Sequence, residues 1–290
     1  MTISTTSPLG LPIEQLLFLQ EAVSASAALD AADRLGVLAR LSAGPITSSM
    51  LAHDCAISER GARLLLAALA GLGLVAVGVD GFYRAAALDL TRWTALRAPW
   101  AGLAETIRDD HPAMAGDSPA GAEALYPDVV PYLGALFAPV AELVGEHLTT
   151  PSLQVLDVGA GAAPWSLALA ARDPGCQVTA VDLPAVLAAT RQAVAAAGRD
   201  GQFHYLSGDL FEVEWGSRVY DLVIVGNLCH LFNEATNRRL LGRLLDALRP
   251  GGKLAILDAL PNERFDGPRP VVLYALGLIL RTTRGCVYPF

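Results

Sequence analysis

The chain has 290 residues, 53% of them hydrophobic, and a formal charge of −8 from 21 Lys plus Arg against 29 Asp plus Glu. That length favours two domains over one large core, and the acidic balance argues against a strongly cationic nucleic-acid footprint. Four scattered cysteines, at 55, 176, 229 and 286, give neither a disulfide framework nor a metal-binding spacing. No basic segment precedes an apolar run at the N-terminus, so no signal peptide is expected. The longest candidate membrane run, Val271 to Leu280, is too short to span a bilayer. These features predict a soluble, cytoplasmic protein without nucleic-acid or membrane partners and without a metal.

From about residue 12 to 147 the pattern is helical. Leu16 to Leu41 carries apolar residues near helical spacing on more than one face, with small alanines that allow close packing. Such a helix fits a subunit interface, the simpler alternative being an interior helix of one domain. Thr47 and Ser58 are placed to cap two short helices, and a hairpin follows around Asp80-Gly81. Helix, turn, helix and hairpin form a winged-helix pattern. A DNA-reading version needs basic groups along its second helix and wing. Only Arg60, Arg63 and Arg84 are present, offset by Glu59 and Asp80, so a structural or dimerising role is expected. From Trp93 to Leu148 further helices are predicted, broken at 111–119 and divided into short pieces by prolines 99, 112, 119, 127, 131 and 139. His111, Met114, Tyr126, Tyr132 and Phe137 are candidates to line an apolar pocket, though each is more simply a core residue.

Around Pro151 strands and helices begin to alternate. Strands are predicted at 154–158, 177–181, 202–206, 221–225 and 253–258, and helices at 164–171, 184–197, 234–248 and 271–280. Pro164 and Pro184 suit first helical turns, where a missing N–H costs nothing. The expected architecture is a doubly wound α/β domain with its crevice at the carboxyl ends of the strands. Five strands leave one edge of the sheet open.

The first strand runs Val155-Leu156-Asp157-Val158 into Gly159-Ala160-Gly161, a turn whose glycines permit close backbone approach. A dinucleotide fold needs a third glycine near position 164, which here is proline. Asp157 also adds negative charge where a pyrophosphate needs relief, and instead favours a ligand bearing an amino group or positive charge. Asp182 ends the second strand, placed to accept from ribose hydroxyls. After the third strand, Asp209 is placed to accept from an exocyclic amine while Leu210 packs on a purine. S-adenosylmethionine, with an adenosine, an ammonium, a sulfonium and no phosphate, meets these demands better than NAD. Each acid alone reads equally well as a turn cap or solvated strand end; together, at three successive strand ends, they form a pocket.

The fourth strand leads to Gly226-Asn227-Leu228-Cys229-His230, with Asn233 as an N-cap. His230 stands at the mouth of the crevice, where a neutral imidazole can take a proton from a hydroxyl. Asp258, at the end of the fifth strand, is a candidate to orient it. A purely structural histidine, or one that only walls the pocket, is the alternative.

Val155–Gly161, Ala180-Val181-Asp182-Leu183-Pro184, Ser207-Gly208-Asp209-Leu210 and Leu248-Arg249-Pro250-Gly251-Gly252-Lys253 together resemble a known family. It is that of the two-domain S-adenosylmethionine-dependent methyltransferases acting on small-molecule hydroxyls in secondary metabolism. Plant caffeate and flavonoid enzymes and bacterial polyketide or antibiotic tailoring enzymes belong to it, and the resemblance covers nearly the whole chain. It implies a Rossmann-like class I methyltransferase domain at residues 149–290. It also implies an all-helical dimerisation and substrate-lid domain, with a degenerate winged helix, at residues 1–148, and hence a homodimer. Gly159 and Gly161 would follow the methionine part of the cofactor, Asp182 would bind the ribose and Asp209 with Leu210 the adenine, and Asp157, Leu183 and Asn227 are further expected cofactor-binding residues. His230 would be the general base and Asp258 its orienting acid, in place of the family's glutamate. Leu231 and Phe232 replace an acid and a tryptophan of plant members, and Gly226 stands where a basic residue is frequent. The resemblance further implies about two more strands, and another acid near the base, after residue 290.

O-methylation of a largely apolar aromatic or polyketide-like acceptor is the leading expectation. Carbon or nitrogen methylation on the same scaffold, a tailoring enzyme that binds the cofactor without transferring a methyl, and a DNA-binding regulator are the competing ones.

Overall fold

A computed structural model describes residues 10–85 and 97–289. Residues 1–9, to which the signal-peptide expectation refers, the expected helical start at Trp93, and Phe290 lie outside the described residues. By contact the chain forms two compact units, residues 1–101 and 102–290. Residues 102–148, grouped from the sequence with the first domain, therefore pack with the α/β part.

In the first unit the expected long helix is two helices, Ile13–Arg34 and Val37–Ser42. The break falls at Gly36, whose φ of 73° is left-handed and ends the first helix. Helices Ser48–Asp54 and Glu59–Gly71 follow, with the expected caps: Thr47 Oγ1 accepts from Met50 N–H (3.3 Å) and Ser58 Oγ from Gly61 N–H (3.0 Å). Strands β1 (Val75–Val77) and β2 (Tyr83–Ala85) make the antiparallel hairpin. Leu38, Ile46, Leu51, Leu66 and Leu69 fill the core, each fully buried leucine contributing about 1.5–3 kcal/mol. The helix Ile13–Arg34 buries only Leu29 and Ala32 and leaves Ile13, Leu17, Leu19 and Val23 exposed.

The second unit is built on a five-stranded sheet in the order β5-β4-β3-β6-β7, all pairs parallel: β3 (Gln154–Val158), β4 (Gln177–Asp182), β5 (Phe203–Ser207), β6 (Tyr220–Gly226) and β7 (Leu248–Leu257). Alternate residues of β3 enter opposite cores: Val155 joins Val178, Ala180, Leu222 and Ile224, whereas Leu156 and Val158 join Val223 and Val225. β7 begins earlier than the sequence suggests because Leu248 pairs with Tyr220. Arg249 to Gly252 then form an irregularity before Lys253 meets Leu222, at a proline without an N–H and at Gly251 with φ 83°.

The largest difference from expectation is the helix Pro119–Leu148, which runs 30 residues through Pro127, Pro131 and Pro139. Pro131, Ala135 and Pro139 share one exposed row. Packing on helices Pro164–Arg172 and Pro184–Ala196 holds the other side of the helix despite the missing N–H groups. By length and composition this helix is apolar enough to cross a membrane, so Val271–Leu280 is not the longest such candidate. Here its inner face covers the carboxyl end of the sheet, with Val130 buried against Ala162 and Val186.

Candidate functional site

The register aligns Val158 with Val181 and Val225, Asp182 with Ser207 and Gly226 with Leu257, so the turns after these strands open on one side of the sheet. A cavity of about 160 Å³, partly open to solvent, lies there. Gly159, Gly161, Asp182, Leu183, Asp209, Leu210 and Asn227 line it. Asp157, His230 and Asp258 do not.

Gly159 and Gly161 have φ of 69° and 55°, the left-handed region that glycine occupies without penalty. A Cβ on Gly159 would come within 3.1 Å of the Leu228 side chain. The turn is tied to β4: Gly159 and Ala160 N–H donate to Val181 O (2.9 and 3.2 Å), and Gly161 N–H to Asp182 Oδ2 (2.9 Å). Thr190 Oγ1 donates to Gly161 O (2.5 Å). Gly134 lets the long helix approach, since a Cβ there would lie 2.6 Å from that of Ala162.

Asp182 Oδ1 accepts from Leu183 N–H (2.8 Å), so each of its oxygens already holds one backbone donor and keeps further acceptor capacity. Burial pushes its carboxyl up to about 6, against the pull of those two N–H groups. Asp209 Oδ1 accepts from Phe211 N–H (2.9 Å), which shapes the turn after β5. Asn227 has a left-handed φ of 55°, tolerable for asparagine, and its N–H donates to Leu257 O (2.7 Å).

Asp157 is 1% exposed; Oδ2 accepts the Ser166 hydroxyl (2.5 Å) and Oδ1 has no partner. Burial pushes its carboxyl up to about 7. The fold therefore favours its neutral form: that contribution is complete below about pH 3.8 and is lost as pH rises through about 7. Thermal unfolding of the ligand-free protein should show Asp157→Asn gaining stability over wild type as pH rises from 5 to 8, by at most about 3 kcal/mol. Parallel curves for the two proteins would contradict this.

The cavity lining contains Asp117, Asp182 and Asp209 and no lysine or arginine. Acidic groups without basic ones suit a cationic ligand free of phosphate. With the glycine cradle and the unpartnered Asp157 oxygen, the residues present fit S-adenosylmethionine. Of the sequence candidates for the apolar wall, Tyr126 and Phe137 line the cavity, whereas His111, Met114 and Tyr132 do not. Trp165, which the sequence did not single out, lines it too, its ring 5.7 Å from that of Phe137. Its indole occupies the space that any side chain at residue 226 would need, which explains Gly226.

His230 lies just outside the lining, in a short 3-10 turn at Cys229–Leu231, and is 4% exposed. Its Nδ1 is 2.6 Å from Asp258 Oδ1, and its backbone N–H donates to Asp258 Oδ2 (3.1 Å). The carboxylate fixes the ring N–H on Nδ1 and leaves Nε2 as an acceptor. Tyr274, in the helix Arg269–Leu278, places its hydroxyl 2.7 Å from that Nε2. Sequence reading took this helix for an uninterrupted apolar run; its one phenol was the available signal.

Comparison with known proteins gives a match to the O-methyltransferase domain over residues 143–287 and to the O-methyltransferase dimerisation domain over residues 17–89. The 3-hydroxy-5-methyl-1-naphthoate 3-O-methyltransferase of Streptomyces sahachiroi is 28% identical, over 88% of this chain and 79% of that one. The acetylserotonin O-methyltransferase of Rattus norvegicus is 28% identical, over 94% of this chain and 66% of its own. The fold is shared with human N-acetylserotonin methyltransferase in complex with SAM, at a TM-score of 0.75 and 22% identity over 99% of this chain and 90% of that chain.

Proposed function

The chain belongs to the O-methyltransferase family, and on that premise we propose that it methylates a hydroxyl of a small, largely apolar aromatic or polyketide-like acceptor, with His230 as general base and Asp258 orienting it. The carrying observation is the 2.6 Å contact between His230 Nδ1 and Asp258 Oδ1, buried beside the cavity. A carboxylate there holds the imidazole in one tautomer and stabilises the imidazolium formed when a proton is taken up. S-adenosylmethionine, when bound, supplies an electrophilic methyl on a sulfonium. Gly159, Gly161 and Asp182 hold its methionine and ribose parts, and Leu183, Asp209, Leu210 and Asn227 the rest, while Asp157 acts by ordering the turn from beneath. Tyr126, Phe137 and Trp165 keep water from the reacting atoms and position an aromatic ring.

Incubation with methyl-labelled S-adenosylmethionine and a panel of phenols, naphthols and aromatic amines tests the reading. Label on oxygen is expected. Label only on carbon or nitrogen, or none despite donor binding, would overturn it.

In this reading residues 1–148 supply dimerisation and the lid, residues 149–290 hold the donor, and the protein works as a cytoplasmic homodimer. Its cysteines are unpaired thiols, and in the wing Arg84 is neutralised by Asp80 at 2.5 Å, which leaves little charge for nucleic acid. The exposed Ile13, Leu17, Leu19 and Val23 are the apolar surface a second copy would cover. Leu17→Glu with Val23→Glu should shift sedimentation from dimer to monomer; an unchanged dimer would place the interface elsewhere.

A further inference from the structure

Both ring nitrogens of His230 are engaged, Nδ1 by Asp258 and Nε2 by Tyr274. If His230 is the general base, no lone pair of its own faces an acceptor. We propose that Tyr274 is a further catalytic residue, which takes the acceptor's proton on its hydroxyl oxygen while passing its own proton to His230 Nε2. This rests on the general-base reading above.

The geometry suits a relay. With the ring N–H on Nδ1, Tyr274 must be the donor in the 2.7 Å contact to Nε2. The two rings meet edge to face, 5.2 Å apart at 86°. Direct abstraction by His230 would require expelling Tyr274, which is packed under the Arg281 guanidinium, 4.8 Å from its ring centroid. A relay needs only that the acceptor reach a remaining lone pair on the phenol oxygen. Arg281, whose guanidinium lies over the Tyr274 ring, accepts at its carbonyl from Gly116 N–H (2.7 Å), and Gly116 lines the cavity, so Tyr274 is linked to the wall through this neighbour.

The chemistry is also matched. Burial raises the Tyr274 phenol, with Arg281 opposing, so the group is protonated at rest and ready to donate. A phenolic acceptor has an ordinary pKa of about 10, below the raised Tyr274 phenol, so passage of the acceptor's proton to the Tyr274 oxygen is favoured. In the step the acceptor O–H bond breaks and its proton bonds to the Tyr274 oxygen. The original Tyr274 proton moves to His230 Nε2, giving an imidazolium paired with Asp258. The acceptor oxygen uses its freed electron pair to bond the methyl, and the pair of the broken S–CH3 bond stays on sulfur. Tyr274 ends neutral, as it began.

The test compares Tyr274→Phe, His230→Ala and wild type, with S-adenosylmethionine and a series of phenols of graded acidity. Tyr274→Phe should lose roughly 10²-fold in kcat on weakly acidic phenols. The loss should shrink toward none for acceptors already ionised at the assay pH, which have no proton to pass on. In the donor-free protein, the 15N resonance of His230 Nε2 should move in Tyr274→Phe as its hydrogen bond disappears. Wild-type kcat in Tyr274→Phe while His230→Ala is inactive would overturn the relay and leave the base standing. Full activity in His230→Ala would instead overturn the base reading, and the relay with it. A loss in Tyr274→Phe that is uniform across the acidity series would mark a structural role and overturn the relay. Fluorotyrosine at 274 keeps the contact while making the phenol more acidic; an unchanged pH–rate profile would count against the relay as well.

Discussion

Replacing His230 by alanine should lower kcat by about 10²–10⁴-fold, the usual contribution of a positioned general base, while donor affinity stays close to wild type. The separation follows from placement. His230 is outside the cavity lining, so it is not expected to touch the donor, yet it stands between Asp258 and Tyr274, hydrogen-bonded to both. Truncation also leaves the Asp258 carboxylate, 7% exposed, without its ring partner, a loss of roughly 1–3 kcal/mol or more. Thermal unfolding must therefore accompany kinetics. His230→Gln, which keeps a polar group near Asp258, separates lost catalysis from lost packing. Donor binding by calorimetry together with single-turnover rates checks the prediction. A variant with wild-type kcat on its proper acceptor would remove His230 from the chemistry.

Asp182→Ala should weaken S-adenosylmethionine binding by about 10²-fold or more, since hydrogen bonds to a charged group are worth about 1.5–3 kcal/mol each. Two effects combine. The carboxylate is itself in the lining, and it anchors the glycine turn through Gly161 N–H at 2.9 Å and Leu183 N–H at 2.8 Å. Without it the turn loses the tie that sets its approach to β4. Asn keeps one acceptor but turns an N–H₂ toward one of those backbone donors, so Asp182→Asn should also bind poorly. Because the carboxyl is pushed up to about 6, the ionised form that accepts ligand hydroxyls is lost as pH falls through that value. Wild-type affinity should then decline below pH 6, and the Ala variant should lack that inflection. Equilibrium dialysis with labelled donor gives both readouts; equal affinity in wild type and Ala would place the ribose elsewhere.

Much of this site was legible in the chain because it depends on strand ends. A parallel strand buried on both faces is a short apolar run, and the turn after it must carry glycine or a capping acid. Gln154–Val158 and the turn at 159–161 therefore stand out, and Asp182 and Asp209 follow from the same grammar. The helix Pro119–Leu148 was not legible. Local preference divides it at its prolines, but its inner face is packed and its outer row is wet, so the missing hydrogen bonds are tolerated. The early break at Gly36 and the early start of β7 at Leu248 were equally hidden, since each depends on a backbone geometry or a cross-strand partner.

The sequence by itself determined the alternation of strands and helices, the glycine turn and the acidic strand ends, because these are set by neighbours a few residues apart. It also marked His230 and Asp258 as candidates. Only the tertiary structure decided that they meet, that Trp165 fills the space above Gly226, and that Tyr274 occupies the remaining imidazole nitrogen. Those contacts join residues 28, 61 and 44 positions apart. Their energies arise from desolvated, directional pairing that exists only once the sheet has brought its ends together.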